Sequence, residues 1–273
     1  MYILFDITAC PRLIFQYREL LLQMVKRTIA SRYRGSALGL FWSIAQPLMM
    51  LSVYTFVFTY VLKAKFGIPL EDSKPGAFSI IMFCGMAVYN IFSESVAGCC
   101  SLIAGNQNLV KKVIFPLELL PIIQVMASLF FGLFWFILLF LGAVFLLQSV
   151  SWTMFFLPLT LIPLLLFTCG ICFIVASLGA FLRDLQHFIG VILQVLFFMT
   201  PIFYSVKAIP EKYRIFLYMN PLCELVEQTR AIFLYGDYPN WSYLTILWLG
   251  AIVIFHLGFV WFVKTKKGFA DVL

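Results

Sequence analysis

Cys169 and Cys172 stand in the stretch CGIC, the C-x-x-C spacing shared by thiol exchange and metal ligation. Redox chemistry would ask for a βαβ context, and a structural zinc site for a second ligand pair at similar spacing. Neither accompanies this pair, which lies inside a run of 64 residues, Leu119 to Leu182, that contains no charged residue. Close packing of small side chains, together with Gly170 and Gly179, accounts for it better. Glu94 is the one carboxylate placed clearly within an apolar stretch. An ion-coupled carrier would use such a group as a proton relay, but a single carboxylate makes a poor one, and pairing with a neighbouring helix end or basic residue is the simpler reading. His187 falls at a helix start and His256 in the last apolar run, neither with a partner at ligand spacing. No glycine is followed by lysine, so the phosphate-cradling G-x-x-x-x-G-K-[ST] loop is missing and ATP hydrolysis is not expected in this chain. No Ser-His-Asp set emerges either, and the sequence reads as a non-enzyme without a cofactor or metal of its own.

The elements that must carry these residues are apolar to an extent soluble domains do not reach. Of 273 residues 63% are hydrophobic and 11% charged, with a mean hydropathy of +1.01, against roughly 45–50% and 25% in soluble domains. Uncharged runs cover Leu38 to Leu62, Leu119 to Leu182 and Tyr238 to Val263. A bilayer core about 30 Å thick takes about 20 helical residues, so the middle run holds two crossings. The expectation is an all-α integral membrane protein with six transmembrane helices at about 38–62, 77–99, 117–147, 152–182, 187–206 and 241–263. The third and fourth meet at QSVSW, an interface turn. Seven cysteines without a framework of spacings argue against a disulfide-stapled secreted domain.

Charge sets the orientation. The formal net charge of +7 finds no soluble basic surface on which nucleic acid could lie, and it reads as a topology signal. Arg12, Arg18, Lys26, Arg27, Arg32, Arg34, Lys111, Lys112, Arg183, Lys264, Lys266 and Lys267 total twelve on one side, against seven on the other: Lys63, Lys65, Lys74, Lys207, Lys212, Arg214 and Arg230. The positive-inside rule then places both termini in the cytoplasm. Residues 1–36 form a cytoplasmic amphipathic segment: from Arg12 to Ala30 basic and polar positions oppose Leu13, Tyr17, Leu20, Leu21 and Met24 at helical spacing, so this helix lies in the membrane interface. Residues 37–273 are the six-helix domain. Between them Gly35 and Gly39 permit a turn, and Pro47 can bend the first crossing. The last external loop, Lys207 to Asn240, is semi-apolar, with prolines at Pro210 and Pro221, and reads as two short helices dipping at the outer interface.

Aromatic residues are abundant: 31 Phe, 12 Tyr and 6 Trp. Tyr54 and Phe58 share a helix face, and Gln194, Phe197 and Phe198 precede the stretch MTPIFYS with Tyr204. Rings stack on the apolar faces of sugars while Tyr and Gln hydrogen-bond hydroxyls, so these residues are candidates for lining a glycan path, beside the plainer reading of lipid-facing packing.

Four blocks, RYRGSALGLFWSIAQPLMMLSVYTFVF, NLVKKVIFPLELLP, FLRDLQHFIGVILQVLFFMTPIFYS and NPLCELVEQTRAIFLYG, together resemble the membrane subunit of ABC-2 type exporters, specifically the bacterial polysaccharide-export permeases for O-antigen and capsule, with teichoic-acid exporters as relatives. The resemblance implies a permease of the bacterial inner membrane that exports lipid-linked polysaccharide. It also implies a homodimer paired with two copies of a separate ATPase subunit that holds the ATP and magnesium. It assigns ATPase docking to the amino-terminal helix, with Arg12, Arg18, Lys26 and Arg27, and to residues 108–116, with Lys111, Lys112, Phe115 and Pro116. It assigns re-entrant gate helices to residues 210–235, with Pro210, Lys212, Arg214, Glu224, Glu227 and Arg230 at the outer mouth. Two other expectations stay open on the residues themselves: an ABC-2 permease for a small lipid or drug, and an ion-coupled carrier dependent on Glu94 and His256.

Overall fold

The structure, a computed structural model, describes residues 9–62, 77–111, 115–148, 150–182 and 184–272. These residues form helices and turns, with no strand among them. Lys63, Lys65, Lys74, Lys112 and Arg183 of the charge count lie outside the described residues.

Two helices, α1 (Ala9–Gln16) and α2 (Arg18–Arg32), replace the single helix expected over Arg12 to Ala30. Tyr17 leaves helical geometry with φ −106° and ψ 22°, yet its N–H still donates to Leu13 and its carbonyl still accepts from Leu21. The junction is therefore a bend. Leu21 and Val25 are buried on one side while Lys26 and Arg27 are exposed on the other. The chain then turns through Gly35 and Gly39, with φ of +86° and +50°, a left-handed backbone that costs residues with a Cβ roughly 1–2 kcal/mol.

A 3₁₀ turn (Gly39–Phe41), α3 (Trp42–Tyr54) and a π-helical turn (Thr55–Val61) make one apolar span. α4 (Ala77–Cys99) is the second, and short α5 (Leu102–Gly105) and α6 (Gln107–Lys111) follow it. The third is α7 (Leu119–Gly142) with its π-helical turn Ala143–Leu147, and the fourth is a 3₁₀ turn (Trp152–Phe156) running into α8 (Leu157–Phe181). α9 (Leu185–Met199) comes next, and then the outer-loop helices α10 (Glu211–Tyr218) and α11 (Pro221–Arg230), the latter extended by a π-helical turn Ala231–Tyr235. α12 (Trp241–Thr265), a 3₁₀ turn (Lys266–Gly268) and α13 (Phe269–Val272) complete the chain.

Five helical stretches among the described residues are long and apolar enough to cross a membrane: Gly39–Val61, Ala77–Cys99, Leu119–Leu147, Trp152–Phe181 and Trp241–Gly268. They match five of the six expected crossings closely. The remaining one, the fifth in chain order, differs: α9 has 15 residues and stops at Met199, short of the expected Val206. Pro201 is the reason, because the residue before a proline is driven out of the α region, and Thr200 takes φ −90° and ψ 135°.

α4 is the hub. Of its most apolar stretch 78% is buried, against 6% for the Gly39–Val61 span at the periphery. α8 and α12 run parallel with a near-constant offset. The Trp248 indole N–H donates to Leu159 (3.1 Å), and the Ser177 and Thr265 hydroxyls meet at 2.7 Å. Between these two ties Gly258 sits against the Gly170 backbone. Lys266 pairs with Glu118, and Arg32 with Glu94; these ion pairs gather the ends of α2, α4, α7 and α12 on one side of the bundle. The outer-loop helices close the opposite side.

Candidate functional site

Four of the six residues expected to line a path are brought together, around a ring that the sequence reading did not single out. Phe203 lies 5.7 Å from Phe58, stacked, 6.3 Å from Tyr54, 5.2 Å from Phe197 and 6.2 Å from Phe198. Tyr54 and Phe58 are on the first span and Phe197 and Phe198 on α9, so Phe203 bridges two elements. The ladder continues inward from Phe58 to Phe78 at 5.3 Å and from Phe197 to Tyr89 at 5.1 Å. Tyr204 supports it from behind, its hydroxyl donating to the Phe198 carbonyl at 2.8 Å. Gln194 is exposed one turn before Phe197 and Phe198 on α9. The signal for Phe203 was Pro201, which ends α9 and folds the next ring back onto it.

The segment that carries Phe203 is non-helical, so its backbone groups need partners from elsewhere. Arg230 supplies one. Its side chain is completely buried; Nη2 donates to the Ile202 carbonyl at 3.0 Å, Nε to the Ile81 carbonyl of α4 at 3.1 Å, and Nη1 to Glu227 at 2.9 Å. The expectation of Arg230 as a charge at the outer mouth is thus corrected: three acceptors from three elements hold the guanidinium fork in the core. Gly85 makes room for it, since a Cβ there would come within 2.9 Å of Nη2. A second tie comes from Asn220, whose amide donates to the Thr200 hydroxyl at 3.0 Å while its carbonyl oxygen caps α11 at Leu222 N.

The remaining outer-loop residues divide. Pro210 opens α10, with Lys212 exposed on its first turn. Arg214 is committed to the fold of its own loop, donating to the Ile209 (2.8 Å) and Lys207 (3.1 Å) carbonyls beside Glu211. Glu224 accepts from Gln228 at 2.7 Å. Burial raises its pKa above the ordinary carboxylate value, the Gln228 hydrogen bond opposes that rise and the Glu227 charge adds to it.

On the opposite side, Arg12, Arg18, Lys26, Arg27 and Lys111 are all exposed, and the Arg18 guanidinium lies over the Phe15 ring at 5.1 Å. Phe115 packs half-buried against the core next to Pro116, which precedes α7. Lys112 lies outside the described residues. Glu94 has the basic neighbour expected of it, Arg32, 62 positions earlier in the chain. His187 is exposed and His256 half-buried. The Cys169–Cys172 pair is buried in the same core as Cys99 and Cys100. All seven cysteines are free and buried, and no group with metal-holding geometry occurs among the described residues.

The ABC-2 type transporter family matches residues 19–234. The chain is 32% identical over 263 residues to the O-antigen export system permease protein RfbA of Myxococcus xanthus, which spans 95% of this chain and 97% of that protein. It is 30% identical over 260 residues to the protein of the same name from Klebsiella pneumoniae, spanning 93% and 95%. A more distant likeness, 24% over 243 residues, covers 85% of this chain and 88% of the polysialic acid transport protein KpsM of Escherichia coli.

Proposed function

We propose, from the premise that this chain belongs to the ABC-2 type transporter family, that it is the permease subunit of an ATP-driven exporter of lipid-linked polysaccharide. The observation that carries the reading is the near end-to-end similarity to permeases of O-antigen export at 30% and 32% identity. The partly exposed rings of Tyr54, Phe58, Phe197, Phe198 and Phe203 support it physically, as a surface that can slide along apolar sugar faces without binding any one sugar tightly. ATP and magnesium belong to a separate ATPase, two copies of which serve a homodimer of this chain. The pairing of Glu94 with Arg32 takes away the lone carboxylate on which an ion-coupled carrier would rest.

The reading includes six crossings of the bacterial inner membrane with both termini cytoplasmic. The fifth in chain order is α9 completed by the non-helical Thr200–Val206 segment. Such backbone is tolerated at membrane depth only where protein buries it, and Thr200, Pro201 and Ile202 are buried with Arg230 and Asn220 as donors. α10 and α11 then act as the re-entrant outer gate, with Lys212 exposed on it.

Deleting the gene is expected to trap lipid-linked glycan on the cytoplasmic face of the membrane and to empty the cell surface of it, read by fractionation and surface labelling. Unchanged surface glycan would sink the assignment. Reversing both lysines, Lys111→Glu with Lys112→Glu, is expected to lose most of the ATPase from a pull-down of the tagged permease. Full recovery would remove this segment from the docking surface.

A further inference from the structure

The side of the bundle that holds the Arg32–Glu94 ion pair also holds a polar cavity of about 230 Å³ between α2, α3, α4 and α7. Its walls combine two chemistries. Arg32 is paired with Glu94 and its guanidinium lies over the Phe131 ring at 4.1 Å, with Tyr33 edge-on to the same ring at 5.8 Å. Trp135 forms a further wall, held by stacking on Phe83 at 4.8 Å. The lining also includes the amides of Gln46 and Asn90 and the hydroxyl of Ser43. Ser43 is 6% exposed, and its Oγ makes no hydrogen bond with any described residue. An unmatched hydroxyl that deep costs about 1–3 kcal/mol unless something accepts from it or donates to it. Pro47, one turn on, has no N–H to offer the Ser43 carbonyl, so the backbone brings a second polar atom in need of a partner to the same position.

Shape and charge together narrow the ligand. At about 30 Å³ per water, the cavity has the volume of about eight waters, the scale of one sugar ring and not of an extended glycan. Arg32 and Glu94 cancel, and a carboxylate already seated on the guanidinium repels a phosphate. Amides and a carboxylate together with aromatic rings suit a ring with hydroxyls on its edge and C–H groups on its faces. Resting on the export reading above, we propose that this cavity binds one neutral pyranose unit of the glycan as it enters from the α2 side of the bundle, a subsite separate from the aromatic ladder around Phe203.

The test uses the permease reconstituted with its ATPase. Gln46 is exposed and Gln46→Cys gives a reactive thiol at the cavity mouth, while the seven native cysteines are buried. The probe is the glycan released by mild acid from the host cell's own lipid-linked material. It is expected to slow methanethiosulfonate modification of Cys at this position, whereas sorbitol, an open-chain polyol, is not. Adding Asn90→Ala is expected to raise the half-protecting concentration about tenfold, the loss of one buried hydrogen-bonding pair. Absence of protection, while the same glycan still changes the ATPase rate, overturns the subsite and leaves the export reading standing. A glycan that changes neither quantity overturns both, and protection by inorganic phosphate alone overturns the neutral-sugar assignment.

Discussion

Arg230→Met is expected to destabilise the detergent-solubilised permease by about 3 kcal/mol, the low end of what removing one partner from a buried ion pair costs. The guanidinium is the single donor group that reaches α4 through the Ile81 carbonyl, the post-α9 segment through the Ile202 carbonyl and α11 through Glu227. Methionine fills similar space but leaves the buried, non-helical Ile202 carbonyl without this donor, worth about 1–3 kcal/mol, while the Ile81 carbonyl keeps only its partner within α4. Glu227 is 34% exposed and can turn to solvent, so its share of the loss is smaller. Thermal unfolding followed by fluorescence-detected size exclusion should fall by roughly 6–12 °C for a chain of this size. Arg230→Lys is expected to lie between wild type and Arg230→Met, since an ammonium on a flexible stem cannot reproduce the planar fork. Glu227→Gln keeps an acceptor but takes the Glu227 charge away from the fully buried guanidinium, and is expected to cost at least as much as Arg230→Met, about 3 kcal/mol or more. An unchanged melting temperature for Arg230→Met would mean that the outer-loop helices and the Thr200–Val206 segment are held by packing and the Asn220–Thr200 hydrogen bond without it.

The burial of Arg230 shows where sequence reasoning stopped. A charge in a semi-apolar loop reads as solvated unless its acceptors are known, and here they are carbonyls 149 and 28 positions away. Glu94 was easier, because any carboxylate within an apolar helix demands a cation, and only the choice of Arg32 needed three dimensions. Apolar run lengths placed five spans to within a few residues at each end, since the bilayer fixes helix length. The same reasoning overran α9: hydropathy continues past Met199 while Pro201 has already ended the helix. In that turn lay the missed residue. Phe203 looked like one more apolar side chain of MTPIFYS, although a chain reversal at Pro201 returns it to Phe197 and Phe198 and carries it across to Phe58. The bend at Tyr17 had no comparable signal in the sequence.

Gly258→Leu is expected to abolish the folded permease, and the milder alanine variants should show why. At Gly258 a Cβ would overlap the Gly170 carbonyl oxygen, and at Gly170 a Cβ would meet the Ile254 carbonyl at 2.6 Å and the Phe255 nitrogen at 2.7 Å. These obstacles are backbone atoms, so no rotamer relieves them and the two helices must separate. In a membrane, where lipid tails are as apolar as the side chains, close approach through small residues is itself the packing force. Separation would stretch the Trp248–Leu159 and Ser177–Thr265 hydrogen bonds that fix the register of α8 and α12 on either side of the glycines. Gly170→Ala and Gly258→Ala should each cost about 1–3 kcal/mol as overpacking. Because both relieve strain by the same movement, the double variant should cost little more than the worse single one, a non-additivity well outside the roughly 0.3–0.5 kcal/mol scatter of independent sites. Additive losses would show instead that each glycine faces its own local obstacle, and that α8 and α12 do not move as one unit.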